Sequence, residues 1–189
     1  MSDILLIDNY DSFTYNLYHY LEEMNEGKVV VMRNDEINFE QAESFQKVVI
    51  SPGPGLPSQA GDLMKFLNQF ILEKEILGIC LGQQAIAEHF GMRLKNLEEV
   101  IHGQAKQIRV LSKKERLFSG LPSVLKVGRY HSWVIDPKNI TENIIITSQD
   151  DDGNIMSIAH ESLPIKAVQF HPESVLTEFG KEMIANWLS

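Results

Sequence analysis

The sequence predicts an α/β fold, a single doubly wound domain over residues 1–189 with a mainly parallel central sheet flanked by helices and an antiparallel extension in the second half. Three observations predict it. Short, β-branched apolar runs bounded by turn residues recur through the first half, which is how strands buried on both faces read. Apolar residues at helical spacing fall between those runs, so strands alternate with crossover helices. Further strand-like runs fill the second half with little helix between them.

The first-half strands are Ile4–Ile7, Val29–Met32, Val48–Ile50 and Ile76–Ile79. Leu17, Leu21 and Met24 mark a helix after the first strand. Leu63, Phe66, Leu67, Phe70 and Ile71 form one apolar helix face before the fourth. In the second half Ile108–Leu111, Val124–Val127, Trp133–Ile135, Ile144–Thr147, Ile155–Ala159 and Ala167–Phe170 read as strands, some of them antiparallel, in an order that one sequence does not reveal. A last helix takes Thr177 as N-cap and turns Phe179, Met183, Ile184, Trp187 and Leu188 inward. Ligands in such a sheet bind beyond the carboxyl ends of the strands. The loops Asp8–Thr14, Ser51–Gly61 and Cys80–Gln84 sit there, and the site is expected where they meet.

Lysine and arginine total 17 against 26 acidic residues, for a net charge of -9. The longest basic cluster is Lys113-Lys114 with nearby Arg116, which argues against a nucleic-acid partner. Cys80 is the only cysteine, so neither an intrachain disulfide nor a thiolate metal cluster can form. The apolar run Ile4–Ile7 is too short for a signal-peptide core and no stretch could span a bilayer, so the expected location is cytoplasmic, without a membrane partner.

Gly78-Ile79-Cys80-Leu81-Gly82 closes an apolar strand and opens a helix. It is the cysteine counterpart of the Gly-x-Ser-x-Gly nucleophile elbow. A sharp strand-to-helix turn brings backbone close on both sides of the nucleophile, and side chains at 78 and 82 would clash. A helix N-terminus favours thiolate over thiol. A lone cysteine is more often a small buried hydrophobe. Its place between two glycines at this turn favours chemistry.

Phe170-His171-Pro172-Glu173 follows the last strand. Pro172 pushes His171 toward extended backbone, where residues two apart point to one side. Glu173 can therefore orient His171 and stabilise the imidazolium that forms when it acts as base. Alone the tripeptide reads as a turn; its weight comes from the elbow. In Ser51-Pro52-Gly53-Pro54-Gly55 only Gly53 and Gly55 of the Pro-Gly-Pro-Gly run have an N–H to donate, and both allow close approach to a ligand. The Leu81 N–H is the second donor of an oxyanion hole. The lysine and hydroxyl of a phosphate loop are absent. His19 and His89 fall on helices and His160 at a strand end. His102 and His131 lie in turns that could approach the site. No metal-ligand spacing is present, so neither a metal nor a cofactor is expected.

Asp8-Asn9-Tyr10-Asp11-Ser12-Phe13-Thr14-Tyr15-Asn16, the Ser51–Gly55 loop, the Gly78–Gly82 elbow, Arg129-Tyr130-His131-Ser132 and Gln169-Phe170-His171-Pro172-Glu173-Ser174 together resemble the class I glutamine amidotransferases, in order and over essentially the whole chain. Within that family the pattern is similar to the second component of anthranilate or aminodeoxychorismate synthase. The resemblance implies one amidotransferase domain over 1–189 that hydrolyses L-glutamine. Cys80 attacks the side-chain amide, His171 moves the protons, and a γ-glutamyl thioester follows. Gly53, ahead of Gly55, and Leu81 hold the oxyanion, while Gln84 and the backbone of Ser132 and Trp133 grip the glutamine. The Asp8–Asn16 segment shapes the site or docks the partner, or is only a tight connection capped by Ser12 or Thr14. Gln83 stands where the family commonly has histidine and Trp133 where it has leucine, which bears on the fine shape of the pocket and not on the reaction.

The resemblance also implies a separate chorismate-binding synthase subunit as partner, since the chain ends just after its last helix. Anthranilate (tryptophan biosynthesis) is the first expectation; the aminodeoxychorismate (folate) route, or service to both, is the alternative. A cysteine peptidase of similar fold would share the elbow. A phospho-acceptor domain fits Asp8, but Ser51, not aspartate, ends the third strand.

Overall fold

A computed structural model describes residues 2–97, 103–112 and 115–189. The chain runs through β1 (Ile4–Asp8), α1 (Thr14–Met24), β2 (Val29–Arg33), α2 (Phe39–Glu43), β3 (Lys47–Ile50), α3 (Leu63–Phe70), β4 (Glu75–Ile79) and α4 (Leu81–His89). It continues with β5 (Leu94–Asn96), β6 (Gln104–Val110), β7 (Val124–Arg129), β8 (Trp133–Ile135), β9 (Ile144–Asp150), β10 (Ile155–His160), β11 (Ile165–Val168) and α5 (Gly180–Leu188).

Among the described residues nine strands form one sheet in the order β2-β1-β3-β4-β11-β10-β9-β6-β7, while β5 and β8 pair separately. The strands from β2 to β11 pair in parallel, and those from β10 to β7 are antiparallel, as the change in pattern between the two halves predicts. β1, β3 and β4 read as apolar runs because both their faces are covered, whereas the edge strand β2 buries only Met32. Leu5, Ile7, Val48, Ile50 and Ile76 face a core with α3 and α4. Ile4, Leu6, Val49, Leu77 and Ile79 face a second core with α1 and α5. The chain leaves β1 for β2 on one side and returns to β3 on the other, so the loops after β1 and β3 part at a topological switch point. The turn after β4 lies beside them.

Several boundaries differ from expectation for physical reasons. β6 begins at Gln104, four residues before its apolar stretch, because residues 104–107 lie at a half-covered end of the sheet and need no apolar side chain. β11 ends at Val168, so Gln169 and Phe170 belong to the loop that enters the site. Thr177 does not cap the last helix; its hydroxyl donates to the His171 carbonyl and accepts the Gly128 N–H. That helix starts instead at Gly180, where any Cβ would collide with the Pro172 carbonyl. Phe179, expected inward, is left-handed (φ 59°) and 40% exposed. The connection into α1 is capped by neither Ser12 nor Thr14. Asp11 accepts the Phe13 N–H, and Asp8 accepts both the Tyr10 N–H and the Thr14 hydroxyl. The short α2 and β5 had no periodic signal. His102, Lys113 and Lys114 lie outside the described residues. Among the described residues no helix is long and apolar enough to cross a membrane.

Candidate active site

Cys80 is the residue at which β4 turns into α4, with φ 52° and ψ -99°. A non-glycine residue in this region is strained, and such strain persists only where the surroundings fix it. Here the flanking glycines do so. A Cβ on Gly78 would lie 2.7 Å from the Gly82 carbonyl carbon and 2.6 Å from Ile86 Cδ1. One on Gly82 would lie 2.7 Å from the Ile50 carbonyl oxygen. The turn is thus wedged between α4 and β3, and the sulfur stands at the N-terminus of α4 with only 5% of the residue exposed.

His171 reaches the same point from the loop after β11. Its Nδ1 is 2.8 Å from Glu173 Oε1, but the pair meets across a turn and not on the extended segment expected: the Ser174 N–H donates to the His171 carbonyl over residues 171–174. Phe13 and Tyr130 hold the imidazole by ring contacts at 5.6 and 4.8 Å. Tyr130 is held in turn by Ser174, 3.1 Å from its hydroxyl. Burial opposes a charged imidazole, yet interaction with the Cys80 sulfur and the Glu173 carboxylate outweighs burial and raises the His171 pKa well above 6.5. Nε2 is buried and has no hydrogen-bond partner among the described residues. Burial raises Glu173 above the usual carboxylate range against the pull of His171, and the nearby Asp11 charge adds to the rise. Carboxylate and imidazole are thus hydrogen-bonded, and the sulfur interacts with the ring strongly enough to help raise its pKa.

The three loops expected to build the site meet here. Gly53 packs so closely that a Cβ would lie 2.7 Å from the Asn9 carbonyl oxygen and 2.8 Å from Leu81 Cδ2. Asn9 ties the switch point together: Ser51 Oγ accepts its N–H, its amide donates to the Ser51 carbonyl, and its Oδ1 accepts from Asn34, at 2.8, 2.8 and 3.0 Å. Leu81 opens α4 and so has no carbonyl a turn earlier to take its N–H.

Two cavities open on Cys80. One, of about 270 Å³, is lined by Gly53, Gly55, Gln84, Tyr130, His131, Ser132 and Trp133 around the sulfur. Every non-catalytic residue expected to touch substrate lines it except Leu81, which lies just behind. The Ser132 carbonyl already accepts the Leu97 N–H and the Trp133 carbonyl the Gln84 Nε2, both within the protein. The other cavity, of about 460 Å³, lies toward Tyr10, Asp11, Ser12 and Phe13 and shares Gly53, Cys80 and Tyr130 with the first. The first suits a small polar molecule presenting a carbonyl to sulfur; the second offers a separate way out.

Sequence reasoning gave no role to three buried groups near this site, Arg129, Asp150 and Gln169. Arg129, with no exposed surface, donates from Nη1 to Asp150 at 2.7 Å and from Nε to His131 Nε2 at 3.3 Å. Asp150 is fixed by the Asn154 and Asp152 N–H groups. With Nε2 accepting, His131 carries its proton on Nδ1. Burial first, then the Arg129 and His171 charges, pull its pKa down to about 3. Gln169, also fully buried, donates to Cys80 Sγ at 3.5 Å. It stands two residues before His171, in the loop after β11, within the Gln169–Ser174 motif. Arg129 and Asp150 pair across 21 positions, and no local pattern marks that.

The family model for class I glutamine amidotransferases matches residues 5–189. Among curated proteins, the aminodeoxychorismate/anthranilate synthase component 2 of Bacillus subtilis is 43% identical over 98% of this chain and 95% of its own length. Anthranilate synthase component 2 of Pseudomonas aeruginosa is 42% identical over 98% and 94%. A solved glutamine amidotransferase from Thermotoga maritima covers 99% of this chain and 96% of its own, with a TM-score of 0.82 at 15% identity, a likeness of fold.

Proposed function

The chain belongs to the class I glutamine amidotransferases, and on that premise we propose that residues 1–189 act as one domain that hydrolyses L-glutamine through Cys80. The observation that carries this reading is the convergence of the strained Cys80 turn and the Glu173-bonded His171 on one cavity, the larger one toward Tyr10–Phe13, while Cys80 also lines the smaller cavity. His171 Nε2 takes the thiol proton, and the thiolate attacks the side-chain carbonyl carbon of glutamine. The oxygen of the tetrahedral adduct gains the negative charge and meets the Gly53 and Leu81 N–H groups. Losing one such donor typically lowers the rate roughly a hundred- to a thousandfold. The carbon–nitrogen bond then breaks, the imidazolium proton goes to the departing nitrogen, and ammonia leaves a γ-glutamyl thioester. Water attacks that thioester as His171 takes its proton; the carbon–sulfur bond breaks, the thiol is restored and glutamate departs.

Ammonia leaving toward the Tyr10–Phe13 cavity would not retrace the route of glutamine, which suits delivery to a second protein. The partner is a separate chorismate-binding synthase subunit, acting with this chain in the cytoplasm. Relatives carrying the anthranilate name, the aminodeoxychorismate name and both names match at 42% to 43% identity. Anthranilate synthesis is the first reading, and service to both routes is the second, which the dual-named relative favours. Glutamate release should be slow from the isolated chain and rise with the partner and chorismate; full-rate hydrolysis alone would end the coupling claim. Peptide cleavage without glutamate release would favour the peptidase reading.

A further inference from the structure

Gln169 occupies a position that the relay of Cys80, His171 and Glu173 does not use. Its side chain has no exposed surface, and its Nε2 lies 3.5 Å from Cys80 Sγ, within hydrogen-bond reach of sulfur. A second glutamine sets which end of that amide faces the sulfur. Gln84 Nε2 donates to Gln169 Oε1 at 3.3 Å and to the Trp133 carbonyl at 3.0 Å. Because Gln169 Oε1 is the acceptor, its NH₂ group is the one turned to Cys80. Gln84 uses its nitrogen for both bonds and lines the smaller cavity, so its Oε1 remains for a donor on the substrate.

We propose that Gln169 is a further catalytic residue, an N–H donor to the Cys80 thiolate, aimed by Gln84, which thereby links occupancy of the substrate cavity to the reactivity of sulfur. The proposal rests on Cys80 as nucleophile. When the thiol proton passes to His171 Nε2, the charge left on sulfur is met from one side by imidazolium and from the other by the Gln169 amide. A hydrogen bond to a charged partner is about twice as strong as one between neutral groups. In the thioester the sulfur is neutral again and the bond weakens, so it favours the thiolate stages of the cycle. Substrate binding through Gln84 Oε1 would polarise Gln84 and tighten its hold on Gln169 Oε1 at the moment attack is due.

The test is the rate at which iodoacetamide alkylates Cys80 in the full chain at neutral pH, with no glutamine present. Gln169→Glu keeps the volume and the bond from Gln84 while placing an oxygen against the sulfur. Gln169→Met removes the donor without adding charge. Each should slow alkylation about tenfold, the minimum expected for losing a hydrogen bond to a charged group, and each should lower kcat for glutamine with little change in KM. Unchanged alkylation in either variant, at a thermal midpoint matching the wild type, would overturn the proposal. Should both variants fail to fold, Cys80→Ala supplies the readout: the Gln169 side-chain amide resonances should shift on loss of the sulfur, and resonances that stay in place would overturn it equally. Slowed alkylation in variants of a chain that never turns over glutamine would retain this donor while removing the amidotransferase reading.

Discussion

Replacing His131 with glutamine should remove part of the stability that the protein loses in acid. His131 is 5% exposed, and its pKa lies at about 3, set by burial and by the Arg129 and His171 charges. Its Nε2 already accepts from Arg129 Nε, so a second proton has no place to go without breaking that bond. In the unfolded chain the same imidazole titrates near 6.5. A folded pKa below the unfolded one means that acid favours unfolding: the stability is fully present above 6.5 and is lost as pH falls toward 3. From pH 7.5 to pH 5 the unfolded imidazole takes up nearly a full proton and the folded one almost none, a loss of about 2 kcal/mol. His171 acts in the opposite sense. Its folded pKa is raised, so its contribution is present below 6.5 and is lost as pH rises through the folded value. It stands in both proteins and largely cancels on comparison. Glutamine offers Arg129 an acceptor oxygen in place of Nε2. Urea unfolding at the two pH values should therefore show the wild type losing about 2 kcal/mol more than His131→Gln. Equal losses would refute the assignment of a buried, neutral His131.

Gly82→Ala should abolish turnover and destabilise the fold by roughly 1–3 kcal/mol, because the added methyl would meet the Ile50 carbonyl at 2.7 Å and backbone cannot yield; wild-type kcat with an unchanged melting midpoint would refute it. Gln83 is fully buried and neither end of its amide has a partner among the described residues. Gln83→Met, close in volume, should therefore raise stability by about 1 kcal/mol in denaturant titration, and a fall of that size would contradict the unpaired state. Glu173→Gln should lower kcat roughly 10²- to 10⁴-fold. It should also move the alkaline limb of the rate profile to lower pH, since the carboxylate helps hold the proton on His171; an unmoved limb would count against that pairing.

Strands β1, β3 and β4 were legible because burial on both faces leaves an apolar run, and Cys80 because only glycine fits on either side of so tight a turn. The edge strand β2 was legible from its run of valines, although it buries only Met32. His171 and Glu173 were legible as a pair from their two-residue spacing beside Pro172, although a turn and not extended backbone brings them together. Where structure depends on a remote partner, sequence is mute. Thr177 looks like a helix cap, and only the fold shows it gripping Gly128 and the His171 carbonyl. Phe179 has the spacing of a core residue, yet it stands as the N-cap in a left-handed conformation and is left outside. Residues 104–107 pair as strand without the apolar character that marks one. Arg129 is charged and so reads as surface, but Asp150 meets it in the interior.

The most direct test is to mix the chain with L-glutamine, quench in acid within one turnover and map the adduct by peptide mass spectrometry. A glutamyl group should appear on the peptide bearing Cys80 in the wild type and vanish in Cys80→Ala, together with glutamate release. Glutamate formed at the wild-type rate by Cys80→Ala would contradict the chemistry assigned to this cavity.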